Sequence, residues 1–191
     1  TGDDNTGDDN TGDDNTGEGT ERVEVIVNCT PAGDLGYYLT QGNTLILADG
    51  VYDEAYVVNF AQEDVIVKAA EGAKPIIQLT GKNTTLSLAA TTTFDGITFD
   101  GSGIAYYLVT ISGGNGGKFT FKNCEFTNWN SYWAISNQWA SGTHIESIVI
   151  DSCTFHDATG APIHFNGSAP SGKQTVDNAT ITNSTFYNLS V

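Results

Sequence analysis

The sequence predicts an all-β solenoid in which short strands stack coil upon coil. The prediction rests on three segments that are near-copies of one another: 119–128, 148–157 and 179–188. When they are aligned, a Cys or Ser and a Phe occupy the same positions in each. They begin 29 and 31 residues apart, and each joins an alternating apolar strand to an Asn or Asp turn. A unit of this kind cannot bury its apolar face alone, so it must stack on its neighbours.

The composition agrees with this fold class. Charged residues make up only 16% of the 191 residues, and 22 residues are glycine. Such a mixture is unfavourable for helices and suits short strands joined by turns. The net charge is −16, and the few bases are scattered, whereas a nucleic-acid groove needs a basic stripe. We therefore expect no nucleic-acid partner, and an anionic membrane surface is disfavoured for the same reason.

Residues 1–21 have the composition of a linker. They contain three exact copies of Thr-Gly-Asp-Asp-Asn, eight acidic residues and no basic residue. With no apolar area to bury and with like charges that repel, we expect this segment to be disordered and extended. Calcium binding by the Asp and Asn oxygens is the alternative, but no repeat has the twelve-residue EF-hand spacing. We expect a spacer, and no cofactor.

The second predicted domain, residues 22–191, begins with a strand at 23–27. A short amphipathic helix follows at 30–41, with Thr30 as its capping residue, and places Leu35, Tyr38 and Leu39 on one face. Because a solenoid needs its open end covered, we expect this helix to act as a lid.

The coils are predicted from residue 44 onward as two ladders of short apolar strands. The first ladder contains 45–47, 65–67, 86–88 and 109–111, and the second contains 57–58, 76–77, 97–99, 119–121, 148–150 and 180–182. Asn128, Asp157 and Asn188 end equivalent strands, so their side chains can form a ladder that satisfies turn backbone.

The three cysteines do not form a disulfide framework, because their number is odd. Cys124 and Cys153 occupy equivalent positions in successive repeats, so the stacked coils make them neighbours. We expect buried free thiols, since Cys packs well as a small apolar residue. A bridge between the two is the alternative, because stacked strands lie about 4.8 Å apart, within reach of a disulfide.

Three segments, 42–52, 64–77 and 94–99, resemble the opening coils of the right-handed parallel β-helices of the pectate-lyase-like superfamily. The resemblance extends over roughly residues 23–191 and includes, in particular, bacterial surface lipoproteins and secreted proteins of polysaccharide-utilisation systems. It implies a right-handed parallel β-helix with a short N-terminal capping helix. It says little about activity, because the superfamily contains lyases, hydrolases, esterases and non-catalytic members.

The residues give little support for catalysis. Lyases of this superfamily use an Arg or Lys base and often a calcium ion, and Arg22 is the only arginine, placed before the first strand. The remaining candidates are expected to have no catalytic role: the lysines as surface residues, the carboxylates as isolated turn or surface groups, and the histidines as polar loop residues. These candidates are Lys118, Lys122, Lys173, Asp95, Asp100, Asp151, Asp157, Asp177, His144, His156 and His164. We predict no catalytic residue and no metal ligand.

The segment 128–139 is more suggestive because it contains all three tryptophans. Flat aromatic rings beside amides and hydroxyls can stack on sugars, and we expect Trp129 and Trp139 to be exposed in their turn-like surroundings. Packing under a long loop is the alternative. His164 alternates with Ile163 and Phe165 and is expected to point outward. The predicted carbohydrate-binding residues are Trp129, Tyr132, Trp133, Trp139 and His164.

These observations predict an exported protein, extracellular or at the outer cell surface, that recognises polysaccharide without catalysis of its own. Two alternatives stay open: a polysaccharide lyase whose catalytic coils lie beyond residue 191, and a structural stalk, adhesin or self-assembling solenoid. The predicted domain has no lid at its C-terminal end, so we expect Ile181 and Phe186 to be partly open. The expected consequence is continuation of the chain or association with another copy.

Overall fold

The computed structural model of the chain describes residues 25–31, 34–112, 115–137, 143–166, 168–169 and 172–190. The predicted linker at 1–21 lies outside these residues. In chain order the elements are β1 (Ile26–Cys29), α1 (Leu35–Leu39), β2 (Thr44–Leu47), β3 (Gly50–Glu54), β4 (Val58–Phe60), β5 (Val65–Ala69), β6 (Pro75–Leu79), β7 (Leu86–Leu88), β8 (Thr92–Asp95), β9 (Thr98–Asp100), β10 (Tyr107–Ile111), β11 (Asn115–Lys122), β12 (Glu125–Thr127), β13 (Trp133–Ser136), β14 (His144–Asp151), β15 (Thr154–Ala158), β16 (Ala161–His164), β17 (Ser168–Ala169), β18 (Gly172–Lys173), β19 (Thr175–Thr182) and β20 (Thr185–Leu189).

Three parallel sheets form the faces of a β-solenoid of about 5 turns, which confirms the predicted fold class. Each coil passes through sheet I, then sheet II, then sheet III. Sheet I has the order β1-β2-β5-β8-β11-β14-β19, sheet II β3-β6-β9-β12-β15-β20, and sheet III β4-β7-β10-β13-β16. Strands β17 and β18 form a separate antiparallel pair.

The three sequence repeats stack in register, as the sequence predicts. Phe119 pairs with Ile148, and Phe126 pairs with Phe155, which pairs in turn with Phe186. In the interior, the rings of sheet II form a continuous stack with centroid distances of 4.7 Å from Phe99 to Phe126, 4.4 Å from Phe126 to Phe155 and 4.9 Å from Phe155 to Phe186. The alternating apolar residues of the repeats therefore build a shared core that no single coil could bury.

The turn residues of the repeats have a backbone reason to be polar. Asn128, Asp157 and Asn188 all have a positive φ, between 50° and 57°, and Asn and Asp tolerate this left-handed region better than other side chains. The predicted side-chain ladder is present between Asp157 and Asn188, whereas Asn128 bonds to Asp100 of the preceding coil. The Asn128 amide donates to Asp100 over 3.1 Å, and the Asn188 amide donates to Asp157 over 3.0 Å. These bonds fix the register at the corner between sheets II and III.

The predicted helix is present but shorter, and its cap differs. It begins at Leu35, and Asp34 is the capping residue: the Asp34 side chain accepts a hydrogen bond of 3.0 Å from the backbone N–H of Tyr37. Thr30 was predicted as the cap, but its carbonyl instead accepts a hydrogen bond from the Tyr38 hydroxyl at 3.1 Å.

The buried face of α1 contains Leu35 and Leu39, and Tyr38 packs against the core at its side. Glu54 fixes the helix to sheet II, because its Oε1 accepts a hydrogen bond of 2.7 Å from the backbone N–H of Leu35. Burial raises the pKa of Glu54, which is 6% exposed. The helix thus packs on the first coil as the predicted lid.

The assignment of strands to ladders was wrong in part. Strands 86–88 and 109–111 were placed in one ladder with 45–47, but β7 and β10 belong to sheet III, where β7 pairs with β4 and β10 pairs with β7. Likewise, 119–121 lies in sheet I, whereas 76–77 and 97–99 pair in sheet II. Short apolar strands look alike in sequence, and the bend that precedes each of them decides which face it joins.

The last coil has an open apolar edge, as expected: Ile181 is 50% exposed and Phe186 is 41% exposed. What covers this edge stays a prediction. All three cysteines are free and buried, which confirms the first of the two expectations for them. Within the part of the chain that the structure describes, no helix has the length and apolar character needed to cross a membrane.

Candidate carbohydrate-binding surface

Five aromatic side chains from three successive coils meet on sheet III. Tyr106 and Tyr107 lie at the start of β10, Tyr132 and Trp133 at the start of β13, and His164 at the end of β16. Pairing of the strands brings them together, because Tyr107 is opposite Trp133 and β13 is paired with β16. We call this set the aromatic strip.

The rings of the aromatic strip form a continuous series of contacts. The Tyr132 centroid lies 5.1 Å from Tyr106, 5.3 Å from Tyr107 and 5.6 Å from Trp133. The Trp133 and His164 rings are stacked, with centroids 4.0 Å apart and planes 9° from parallel. Contacts of this kind hold the rings in place, so a ligand would not have to order them.

The aromatic strip is accessible from outside the solenoid. Tyr132 is 42% exposed, Tyr106, Trp133 and His164 are partly exposed, and Tyr107 is 9% exposed. Its rings thus present apolar faces to solvent while Tyr hydroxyls and ring N–H groups provide polar edges. This combination suits a ligand that has both C–H faces and hydroxyl groups.

A shallow groove of about 290 Å³ adjoins the strip on the same sheet. Its lining, which we call the polar groove, consists of Val57, Asn83, Thr85, Ser87, Tyr107 and Thr110. Tyr107 belongs to both features, so the groove and the strip are continuous. Ser87 and Ser112 share a hydrogen bond of 2.7 Å, and the Thr85 hydroxyl donates to the Leu108 carbonyl at 3.2 Å.

His164 is neutral at neutral pH in this setting. Burial lowers the pKa of its imidazole below the ordinary value of about 6.5. Its ring lies flat against Trp133, which restricts the access of water to one face. The imidazole therefore provides one N–H donor and one nitrogen acceptor rather than a positive charge.

The structure brings together three of the five predicted binding residues: Tyr132, Trp133 and His164. The expected exposure of Trp129 is wrong, because the side chain is 1% exposed and packs in the core. The left-handed backbone at Asn128, with φ of 57°, precedes this inward ring. Trp139 lies outside the described residues.

Sequence reasoning missed Tyr106 and Tyr107. A signal was present, because in each of the doublets 106–107 and 132–133 the second ring begins an apolar strand, and the two strands belong to the same sheet in successive coils. The coil that contains Tyr106 and Tyr107 is more divergent than the copies at 119–128, 148–157 and 179–188, so its similarity to them is less evident in the sequence.

A second polar cluster lies on the outer face of sheet II around His156. The imidazole Nδ1 is 2.7 Å from Asp157 Oδ2, and Nε2 is 2.8 Å from Glu125 Oε1. Tyr187 stacks on the ring with a centroid distance of 4.9 Å, and Thr98 donates to the second oxygen of Glu125 at 3.2 Å. We call this the His156 network. It links four successive coils.

Both imidazole nitrogens of His156 face carboxylates, which favours the protonated ring. Burial opposes protonation, but the hydrogen bonds to Asp157 and Glu125 outweigh it and raise the pKa of His156 above its ordinary value. The pKa of Asp157 is lowered by its bonds to His156 and Asn188. Because neither ring nitrogen is available to a substrate, we interpret the network as structural: it stabilises the register in which successive coils pair.

Replacement of His156 by Gln should destabilise the protein in a pH-dependent way. A histidine whose pKa is higher in the folded than in the unfolded protein stabilises the fold. This stabilisation is fully present below about pH 6.5, the pKa in the unfolded state, and is lost as the pH rises through the pKa in the folded state. We expect a loss of about 1 kcal/mol near pH 6 that shrinks as the pH rises through the raised pKa of His156. Thermal denaturation of both proteins across this range measures it.

The matched control is His144→Gln. His144 pairs with Asp177 over 2.8 Å, but both side chains are substantially exposed, 43% and 50%, whereas His156 is 12% exposed. The control should change stability little at any pH. A His156→Gln effect of equal size at pH 6 and pH 8 would contradict the proposed charge on the imidazole.

Among the described residues, no group of three or more His, Cys, Asp or Glu side chains has the arrangement to hold a metal ion. The fold defines the class of the protein as a parallel β-solenoid. No protein-family model matches the chain, and no curated protein matches it.

Proposed function

We propose that this protein recognises polysaccharide through the aromatic strip, without catalysis of its own. The observation that carries the proposal is the continuous series of five rings on sheet III, four of which are accessible to solvent. Sugar rings have apolar C–H faces that pack on aromatic side chains, and hydroxyl groups that bond to Ser, Thr, Asn and His. In the adjoining polar groove the exposed Asn83 amide is such a partner, whereas the hydroxyls of Thr85, Ser87 and Thr110 are nearly buried.

The repeat of the solenoid favours a polymer as the ligand. Successive coils are spaced about 4.8 Å apart, and the strip extends over three coils in the direction of the solenoid axis. An extended glycan chain can therefore contact the same kind of surface several times. Each contact adds to the affinity without any change in protein conformation.

The absence of a catalytic role is part of the proposal. A lyase needs a cationic base and an acidic or metal-assisted environment for proton removal. The residues of the aromatic strip and polar groove include neither Lys, Arg, Asp nor Glu. Membership of the pectate-lyase-like superfamily and export to the cell surface are proposed with it, supported by the solenoid fold and the resemblance of the opening coils.

The test is calorimetric titration of soluble polysaccharides into the wild-type chain and two variants, Trp133→Ala and Tyr132→Ala. We expect each variant to bind about tenfold more weakly, which corresponds to about 1–2 kcal/mol for loss of an interface aromatic. The glycan should be recovered intact.

Tyr56→Ala is the control, because Tyr56 is 83% exposed but lies outside the strip. It should leave binding unchanged. The proposal is wrong if the wild-type chain binds no polysaccharide. It is also wrong if the strip variants bind as the wild type does, or if Tyr56→Ala loses as much affinity as they do.

A further inference from the structure

Sheet III differs from the other two sheets in charge. None of its five strands contains Asp, Glu, Lys or Arg. Sheet I, by contrast, contains charged side chains such as Lys68, Asp95 and Lys122, and sheet II contains Asp53 and Glu125. The uncharged face is therefore a specific feature of the surface that contains the aromatic strip.

The aromatic strip and polar groove are uncharged as well. The groove is lined by hydroxyls, an amide, a valine and a tyrosine. The one titratable imidazole of the strip, His164, is neutral at neutral pH because burial lowers its pKa. A ligand on this face would meet hydrogen-bonding groups and rings but no fixed charge to pair with.

The net charge of the whole chain also disfavours an anionic ligand. The net charge of −16 repels polyanions at long range. A carboxylate or sulfate ester placed on the aromatic strip would lose hydration without gaining a cationic partner, and such an unpaired charge is costly to desolvate. A neutral sugar ring has neither disadvantage, because its C–H face packs on the rings and its hydroxyls exchange water for protein partners.

The extent of the uncharged face sets the size of the ligand. Val57 precedes β4 of the first coil, Tyr107 belongs to the third, and His164 belongs to the fifth. Four coil-to-coil steps of about 4.8 Å give a length of about 19 Å. A monosaccharide would contact only a fraction of this length, whereas an extended oligosaccharide would contact both the groove and the strip.

We infer that sheet III binds an extended, uncharged polysaccharide chain and discriminates against uronate-rich and sulfated polymers. This inference rests on the proposed function and names its ligand class. The polar groove provides hydrogen bonds at one end of the site, and the aromatic strip provides stacking at the other. Specificity arises because an acidic polymer finds no cation on this face.

Competing soluble probes test the inference on the 191-residue chain. The neutral probes are mixed-linkage β-glucan, xyloglucan and galactomannan, and the acidic probes are polygalacturonate and alginate. We expect at least one neutral polymer to bind at least tenfold more tightly than either acidic polymer. Its affinity should stay within about twofold between about 0.05 M and 0.5 M salt, because no ion pairs are screened. Oligomers of the bound polymer should gain affinity with length from two to six sugars.

Trp133→Ala separates failure of the inference from failure of the proposed function. If an acidic polymer binds as tightly as the neutral ones and Trp133→Ala weakens it, the ligand class is wrong but recognition by the aromatic strip stands. If Trp133→Ala weakens no polymer, the proposed function is wrong and the inference is overturned with it. Strong salt dependence of neutral-polymer binding, or equal affinity for two and six sugars, would also overturn the inference.

Discussion

Phe126→Ala is expected to lower the free energy of unfolding by about 3–5 kcal/mol, the cost of removing a large buried ring and leaving a cavity. Phe126 is 0% exposed and stands in the middle of the phenylalanine stack. Its ring lies 4.7 Å from Phe99, 4.4 Å from Phe155 and 5.7 Å from Phe121. Because the neighbouring coils are fixed by their own strand pairing, they cannot collapse into the space. Chemical denaturation measures the loss.

Phe186→Ala is the matched control for this prediction. Phe186 occupies the equivalent position in the last coil and stacks on Phe155 at 4.9 Å, but it is 41% exposed. Less apolar area is removed and no closed cavity forms, so the expected loss is about 1 kcal/mol. Equal losses in the two variants would show that the interior stack does not set the stability of the solenoid.

Gly160→Ala is expected to destabilise the protein by about 1–3 kcal/mol through overpacking and to weaken glycan binding as well. Gly160 precedes β16 and is buried. A Cβ atom there would lie 2.8 Å from Trp129 Nε1 and closer still to the carbonyl oxygen of Tyr132. Backbone cannot rotate away as a flexible side chain can, so the turn that presents Tyr132 must shift.

Gly36→Ala serves as the comparison, measured by thermal denaturation and by titration with the bound polysaccharide. Gly36 lies in α1, where the nearest atom to an added Cβ is Asp34 Oδ1, at 3.0 Å. That atom ends a side chain, and Ala favours helix, so stability should change by less than about 1 kcal/mol. Unchanged stability and binding in Gly160→Ala would mean that the close approach of the two coils is not needed to position Tyr132.

Much of the fold follows from the sequence because its signals are local and repeated. The copies at 119–128, 148–157 and 179–188 align without gaps. If one residue of a copy pairs with its equivalent in the next copy, all the other residues of the copy are therefore in register as well. The alternation that puts Phe126 and Phe155 inside is a property of each strand alone. The Asn and Asp residues at the turns also reflect a local cause, namely a backbone with positive φ.

The tertiary structure decided which sheet each strand joins and which aromatic residues meet. The strand at 86–88 has the same alternating pattern as that at 45–47, and only the bends between them place it in sheet III. Trp129 and Trp133 are four residues apart in one segment, yet one ring is buried in the core and the other stacks on His164. Burial depends on the direction in which the chain leaves a corner, and the composition of a segment does not encode that direction.

The aromatic strip shows the same division between local and long-range information. Tyr132 and Trp133 were identifiable as candidates from their own segment, and His164 from the alternation around it. Their contact with one another and with Tyr106 and Tyr107 depends on the stacking of three coils separated by long loops. The sequence by itself determined a repeating solenoid with a phenylalanine interior. The stacking of the coils determined that one of its outer faces is aromatic and uncharged, because only strand pairing brings residues so distant in the chain onto one surface.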